Sequence, residues 1–171
     1  MSGEITKVAL ITGACGGIGK ALVYKYASQG VSLAIADKSL KEVELLVDEI
    51  VNMGGTAKAF SGDLTEQSYC DNLPNDVKKE FGKIDILVNN AGLMRRGAIT
   101  DTTDKDYNLS MSVNVEAPFR IVRAAIPLMA EAGGGAIVNT SSCWGINPGP
   151  NHLIYCTTCL LYTSPSPRDR G

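Results

Sequence analysis

Apolar residues in this chain come in short runs, separated by stretches where they recur every three or four positions. Val8 to Ile11 is the first run. It breaks at Thr12-Gly13-Ala14-Cys15-Gly16-Gly17-Ile18-Gly19 and gives way to a helical pattern from Lys20 to Gln29. A short apolar run bounded by glycines predicts a buried strand and a tight turn, and the change of period predicts a helix. Val31 to Asp37 is a second run, closed by an acid. Ser39-Leu40-Lys41-Glu42 has the form of a capping box. Behind it Val43, Leu46, Val47, Ile50 and Val51 make one apolar stripe, which Gly54 and Gly55 stop. Thr56 to Ser61 predicts a third strand, and Glu66 to Phe81 a helix that Pro74 should break or kink. Ile84 to Val88 predicts a fourth strand. Asp104 to Glu131 is helical in pattern, with Thr103-x-x-Asp106 as its cap; Asn114 should interrupt it, and Pro118 and Pro127 should each cost helix stability unless tertiary packing absorbs a bend. After the glycines at 133–135, Ala136 to Thr140 predicts a fifth strand that ends in Ser141-Ser142.

Strands that alternate with helices in this way predict an α/β fold, a doubly wound parallel sheet of about five strands, because each crossover is right-handed. No internal repeat or linker divides the chain, and 171 residues suit one domain. Hydrophobic content of 44% and charge of 20% describe an ordered globule. A net charge of −2 gives no electrostatic reason to bind nucleic acid or an anionic membrane. No apolar run reaches the roughly 20 residues of a membrane helix. Met1-Ser2-Gly3-Glu4 lacks the pattern of a signal peptide, so a cytoplasmic location is expected. The cysteines, at 15, 70, 143, 156 and 159, have neither disulfide-scaffold nor zinc spacing, and no metal is expected. Cys156-Thr157-Thr158-Cys159 spells C-x-x-C, but a redox role would want it at the start of a helix after a strand. His152, among prolines and asparagines, reads as a loop residue rather than a ligand.

Chemistry gathers at the strand ends. Glycines allow positive φ and let backbone N–H groups approach a ligand. The following helix N-terminus carries unpaired donors and partial positive charge, so a pyrophosphate can sit there. A glycine-rich turn without a ligand is the alternative. Asp37 lies roughly 20 residues on, where a dinucleotide-binding βαβ unit puts a carboxylate against the ribose hydroxyls; otherwise it only starts a turn. A carboxylate there repels a 2′-phosphate and favours NAD over NADP, with Lys38 next door pulling the other way. Asp63, in Gly62-Asp63-Leu64-Thr65, either meets an adenine edge or caps the next helix. Asn89-Asn90-Ala91-Gly92 sits at the carboxyl edge of the sheet, where open α/β folds bind ligands. Met94, Arg95 and Arg96 then face either a polar substrate or solvent.

Taken together these residues resemble the short-chain dehydrogenase/reductase family, over about Lys7 to Thr158. Its T-G-x-x-x-G-x-G turn matches Thr12, Gly13, Gly17 and Gly19, and its N-N-A-G motif matches Asn89 to Gly92. Its active-site asparagine, serine and tyrosine fall on Asn114, Ser142 and Tyr155. The resemblance implies a Rossmann-type sheet and a hydride transfer between NAD (NADP less favoured) and a secondary alcohol or carbonyl compound. Tyr155 would be general acid/base, Ser142 would orient the substrate oxygen, and Asn114 would hold a water. It implies a cofactor site made of Gly13, Cys15, Gly17, Ile18 and Gly19 in the first turn and Asp37 after the second strand. Asp63 and Leu64, then Asn90, Ala91 and Gly92, and finally Tyr155 complete that site. Trp144 and the loop at 145–152 would wall the substrate pocket. The parent enzyme would be a homo-oligomer, joined through the helices around Asn114 and Tyr155.

One position departs. The family carries a lysine one helical turn after the tyrosine, and here that position is Cys159. A free tyrosine has a pKa of about 10, and the lysine's ammonium is what would favour the phenolate. The text from Cys159 on is Pro- and Ser-rich, resembles a translated sequencing-library adapter and should not propagate a helix. Residues 1–158 are therefore expected to be a truncated Rossmann dinucleotide-binding and catalytic domain. Residues 159–171 are expected to be a non-native tail, and the fragment is expected to be inactive. The competing expectation is a non-catalytic dinucleotide-binding module that genuinely lacks the lysine.

Overall fold

The computed structural model describes residues 6–163, so the tail from 164 on lies outside the described residues. Five strands form one parallel sheet: β1 (Val8–Thr12), β2 (Ser32–Asp37), β3 (Ala57–Ser61), β4 (Ile86–Asn89) and β5 (Ala136–Asn139). Their spatial order is β3-β2-β1-β4-β5. The chain builds outward from β1 to β3, then crosses back to place β4 on the other side of β1. That reversal opens a crevice at the carboxyl ends of β1 and β4, where such sheets take ligands. The α/β doubly wound architecture expected from the alternating pattern is the one observed.

Among the described residues there are six α-helices: α1 (Gly17–Ala27), α2 (Leu40–Asn52), α3 (Gln67–Phe81), α4 (Asp104–Met111), α5 (Ala117–Glu131) and α6 (Leu153–Thr163). Alternate residues of β1 serve the two faces. Leu10, with Ala34 and Leu87, packs on Leu73, Val77, Ile121 and Ala125 of α3 and α5. Ile11, with Leu33 and Ile35, packs on Val23, Val43, Leu46 and Ile50 of α1 and α2. All five residues of β1 are buried, as a strand covered on both faces requires. β5 differs: three of its four residues are exposed, and among the described residues it pairs with β4 alone.

Three sequence expectations are corrected. Pro74 does not break α3, which runs unbroken to Gly82, a left-handed cap with φ 84°. Pro74 is buried in a stripe with Cys70, Leu73 and Val77 against α5, and that packing offsets the missing N–H. The helical stretch from Asp104 to Glu131 is not cut at Asn114 either; α4 passes into α5 through a π-helical turn, Ser112–Glu116. Pro118 has no N–H to give to the carbonyl four residues back, and a wider i→i+5 turn goes round that missing donor. Finally, α6 continues past Cys159 to Thr163. Cys156, Thr158 and Cys159 are buried, and the prolines of the tail begin only at Pro165.

Candidate active site

The turn after β1 is shaped by three glycines with different duties. Gly13 has φ 61°, and a Cβ on it would lie 2.6 Å from Cα of Ala91. A Cβ on Gly19 would lie 2.1 Å from the carbonyl oxygen of Gly13. Gly17 faces open space. Gly13 thus lets the turn close on the end of β4, Gly19 lets α1 pack beneath it, and Gly17 leaves room above the first turn of α1.

Side chains tie this turn to its neighbours. Thr12 Oγ1 accepts from the N–H groups of Asn90 (3.1 Å) and Ala91 (3.2 Å). Asn90 Nδ2 donates back to the carbonyls of Gly13 (3.1 Å) and Thr12 (3.3 Å). Asp37, at the end of β2, accepts from the N–H of Cys15 on Oδ2 (2.9 Å) and from that of Lys38 on Oδ1 (2.7 Å). The result is a cavity of about 780 Å³ along the carboxyl edge of the sheet. Gly13, Cys15, Gly17, Ile18, Asp37, Asp63, Leu64, Asn90, Ala91 and Gly92 line it; Gly19 is buried beneath. Burial and the Asp37 carboxylate push the Cys15 thiol up to about 11, so it stays protonated there.

Asp63 is not the cap residue of the next helix. Its Oδ1 accepts from the N–H and the hydroxyl of Thr65, both at 2.9 Å, and its Oδ2 pairs with Lys38 Nζ at 2.6 Å. It organises the turn before α3, whose own cap residue is Glu66. The Lys38 ammonium, and after it the Thr65 N–H, hold its carboxyl below the ordinary value.

A second cavity of about 350 Å³ adjoins the first and shares Ile18 and the segment from Asn90 to Leu93 with it. Asn114, Ser142 and Tyr155 all line it, together with Thr158 and Cys159. Three distant stretches, the π turn, the end of β5 and α6, therefore meet beside the glycine turn. Asn114 is a clamp: Oδ1 accepts from the N–H of Leu93 and Nδ2 donates to its carbonyl, both at 2.9 Å. Nδ2 also donates to Thr158 Oγ1 at 3.0 Å, which ties α6 to the loop after β4. Burial pushes the Tyr155 phenol above its usual value, and a side-chain hydrogen bond with Ser142 works against it. Cys159, one turn along the same helix face, is pushed up by burial too.

Trp144 does not wall this cavity, contrary to expectation, and neither does the loop at 145–152. Trp144 stands behind Tyr155, its ring edge-on to the phenol at 5.9 Å and tilted against His152 at 4.1 Å. His152 is buried at the entry to α6, with Nδ1 2.6 Å from the Pro150 carbonyl. Arg95 pairs with Asp106 at 3.4 Å, while Met94 does line the cavity. Glu42, Tyr69, Leu93, Leu109 and Val113 line the larger cavity without having been expected there. Leu109 and Val113 fall on an apolar helical pattern, which by itself says core. Tyr69 packs directly on Gly62, where a Cβ would lie 2.2 Å from its ring, a contact that only the fold reveals.

The residues fit a dinucleotide. The glycine backbone leaves space over α1, an acceptor carboxylate stands at the end of β2, and the larger cavity runs into the one that holds Tyr155. Among the described residues no helix is long and apolar enough to cross a membrane.

Comparison with known proteins points the same way. Residues 7–159 match the short chain dehydrogenase family. An uncharacterised oxidoreductase of Thermotoga maritima is 39% identical over 149 residues, which cover 87% of this chain and 59% of that protein. The NAD+-bound crystal structure of a xylitol dehydrogenase superposes with a TM-score of 0.86 at 30% identity, over 91% of this chain and 60% of the other. A metagenomic short-chain oxidoreductase in complex with NADP superposes with a TM-score of 0.85 at 31% identity, over 90% and 69%. The chain thus spans about three fifths of the length of the curated relatives it matches. With its five-stranded parallel sheet, glycine turn and matched span, this chain belongs to the short-chain dehydrogenase family of nicotinamide-dependent oxidoreductases.

Proposed function

We propose that the chain is the dinucleotide-binding and acid–base portion of an NAD-dependent secondary-alcohol dehydrogenase. The observation that carries this reading is the meeting of Asn114, Ser142 and Tyr155 around one cavity that opens onto the glycine turn. The cofactor, when bound, would accept or supply a hydride at its nicotinamide ring. Gly13, Gly17 and Ile18 would receive the pyrophosphate at the head of α1. Asp37 would accept from the adenosine ribose, and Asp63, Leu64 and Asn90 to Gly92 would complete the site. Ser142 would hold the substrate oxygen, and Tyr155 would exchange a proton with that same oxygen. Asn114 acts first as the clamp that fixes Leu93 and Thr158, so it positions the site. Polyols are a reasonable substrate class, given that one structural neighbour is a xylitol dehydrogenase.

A second reading has its own support: at the lysine's position stands Cys159, and the phenol beside it is pushed toward its neutral form. On that reading the chain binds a dinucleotide and does not turn over. We further infer that the residues from Cys159 on are not those of the parent enzyme; a native gene that continues into the same tail would refute this. Calorimetry with NAD+ tests the shared part, and binding is expected. Assay of secondary alcohols with the chain as it stands, expected to be silent, and with the native continuation restored, expected to be active, separates the readings. No turnover in the restored protein would favour the binding module, and no binding at all would end both.

A further inference from the structure

The adenosine end of the larger cavity is unevenly charged. Asp37, Glu42 and Asp63 line it, and among the described lining residues its sole cation is Lys38. Lys38 follows Asp37 directly, and its backbone N–H is one of the two donors that hold Asp37. Its ammonium, however, is taken by Asp63 at 2.6 Å. Asp63 is itself held in place, since Thr65 supplies both an N–H and a hydroxyl to its other oxygen. The end of β2 and the turn after β3 are thus clipped together across the mouth of the cavity.

A ribose with a free 2′-hydroxyl needs an acceptor here, and Asp37 is one. A ribose with a 2′-phosphate brings a charge of about −1.5 to −2 and needs a cation in exchange. We propose that Asp63 is a specificity-determining residue, which keeps Lys38 occupied and so disfavours dinucleotides that carry a 2′-phosphate. This rests on the cofactor reading above and adds the means of discrimination to it. The Lys38 side chain is 75% exposed, so no repacking stands between the held and the released ammonium. One substitution at Asp63 is enough to free it.

The test is calorimetric titration of the full chain with NAD+ and with NADP+, for the chain itself, D63N, K38M and the double variant. The readout is the ratio of the two dissociation constants. Any contact of Asp63 with the shared adenine cancels in that ratio, and asparagine keeps an oxygen for Thr65. D63N is expected to shift the ratio toward NADP+ by about fivefold, the upper end for releasing an exposed ion pair. K38M alone is expected to leave the ratio within about twofold, and K38M added to D63N to cancel the gain. An unmoved ratio in D63N, or a shift that survives without Lys38, overturns the proposal. If D63N does not fold, K38M decides. A fall of more than about threefold in NADP+ affinity would mean that the ammonium is already free to meet a phosphate. A smaller change supports the latch. Failure of the unaltered chain to bind either dinucleotide sinks the cofactor reading and the proposal together; binding of both with an unmoved ratio sinks the proposal alone.

Discussion

The two cavities share a wall, from Asn90 to Leu93, yet only the larger one has a cation among its described lining residues. In the larger one a carboxyl, Asp63, meets a cation and is held in its charged form. In the smaller one a phenol and a thiol, Tyr155 and Cys159, meet no cation among the described lining residues, and burial holds both neutral. The supports differ as well. The larger cavity hangs on β1 and β2, which are buried on both faces. The smaller one leans on β5, an exposed edge, and on α6. The difference teaches that the glycine-turn end rests on strands buried on both faces and carries a paired carboxylate and ammonium. Around Tyr155 the side chains of Asn114, Ser142 and Cys159 converge with no cation among the described lining residues.

Breaking the nucleotide end should have the largest effect. Gly19→Val would drive a Cβ into the Gly13 carbonyl, where the approach is 2.1 Å to backbone that cannot swing aside. A loss of more than about 3 kcal/mol is expected, read as a lowered denaturant midpoint. Gly17→Ala meets nothing within 4 Å, so the fold should tolerate it within about 1 kcal/mol while dinucleotide binding weakens. Equal melting of Gly19→Val and the unaltered chain would show that the turn is not built in advance of its ligand.

Much of this end was legible in the sequence because strand, turn and helix there are local. Val8 to Ile11 had no other way to satisfy both an apolar run and the glycines after it. Pro74 was misread because a proline's cost is local and its compensation, burial against α5, is not. The Lys38–Asp63 pair was out of reach for a similar reason. Either residue alone reads as surface, and only β2–β3 pairing brings them within 2.6 Å. Ser142 and Tyr155 were legible only through family spacing, and Trp144 was put in the wrong layer because adjacency in sequence was taken for adjacency in space.

An ammonium brought to the smaller cavity should sharpen the contrast by reversing it. Cys159→Lys places that charge one helical turn from Tyr155, on the same face. Tyr155 now has its pKa raised above 10.0, chiefly by burial. The folded chain therefore holds that proton more tightly than the unfolded chain does. Its contribution to stability is fully present below the ordinary value and is lost as pH rises through the folded one. With lysine at 159 the phenolate should form about 1–3 pH units earlier, the range for a close opposite charge. The check is tyrosinate absorbance against pH, taken as the difference from Tyr155→Phe. An unchanged titration would mean that position 159 does not address the phenol, and the asymmetry between the cavities would then need another cause.

The smallest effect is expected at the support itself. Val138 of β5 is 48% exposed, whereas its register partner Val88 on β4 is 2% exposed. Val138→Thr keeps a β-branched side chain in the strand and replaces a methyl group that faces outward. The change in stability should stay within about 0.5 kcal/mol, as for a surface position. Leu87→Ala, on the adjacent central strand and wholly buried, should cost about 2–5 kcal/mol. The pair of variants, melted side by side, measures how far the core's packing reaches across the sheet. If Val138→Thr costs as much as a buried deletion, the outer edge of β5 is covered in solution. The acid–base end would then be as firmly supported as the nucleotide end, and its missing charge would be the whole of the difference between them.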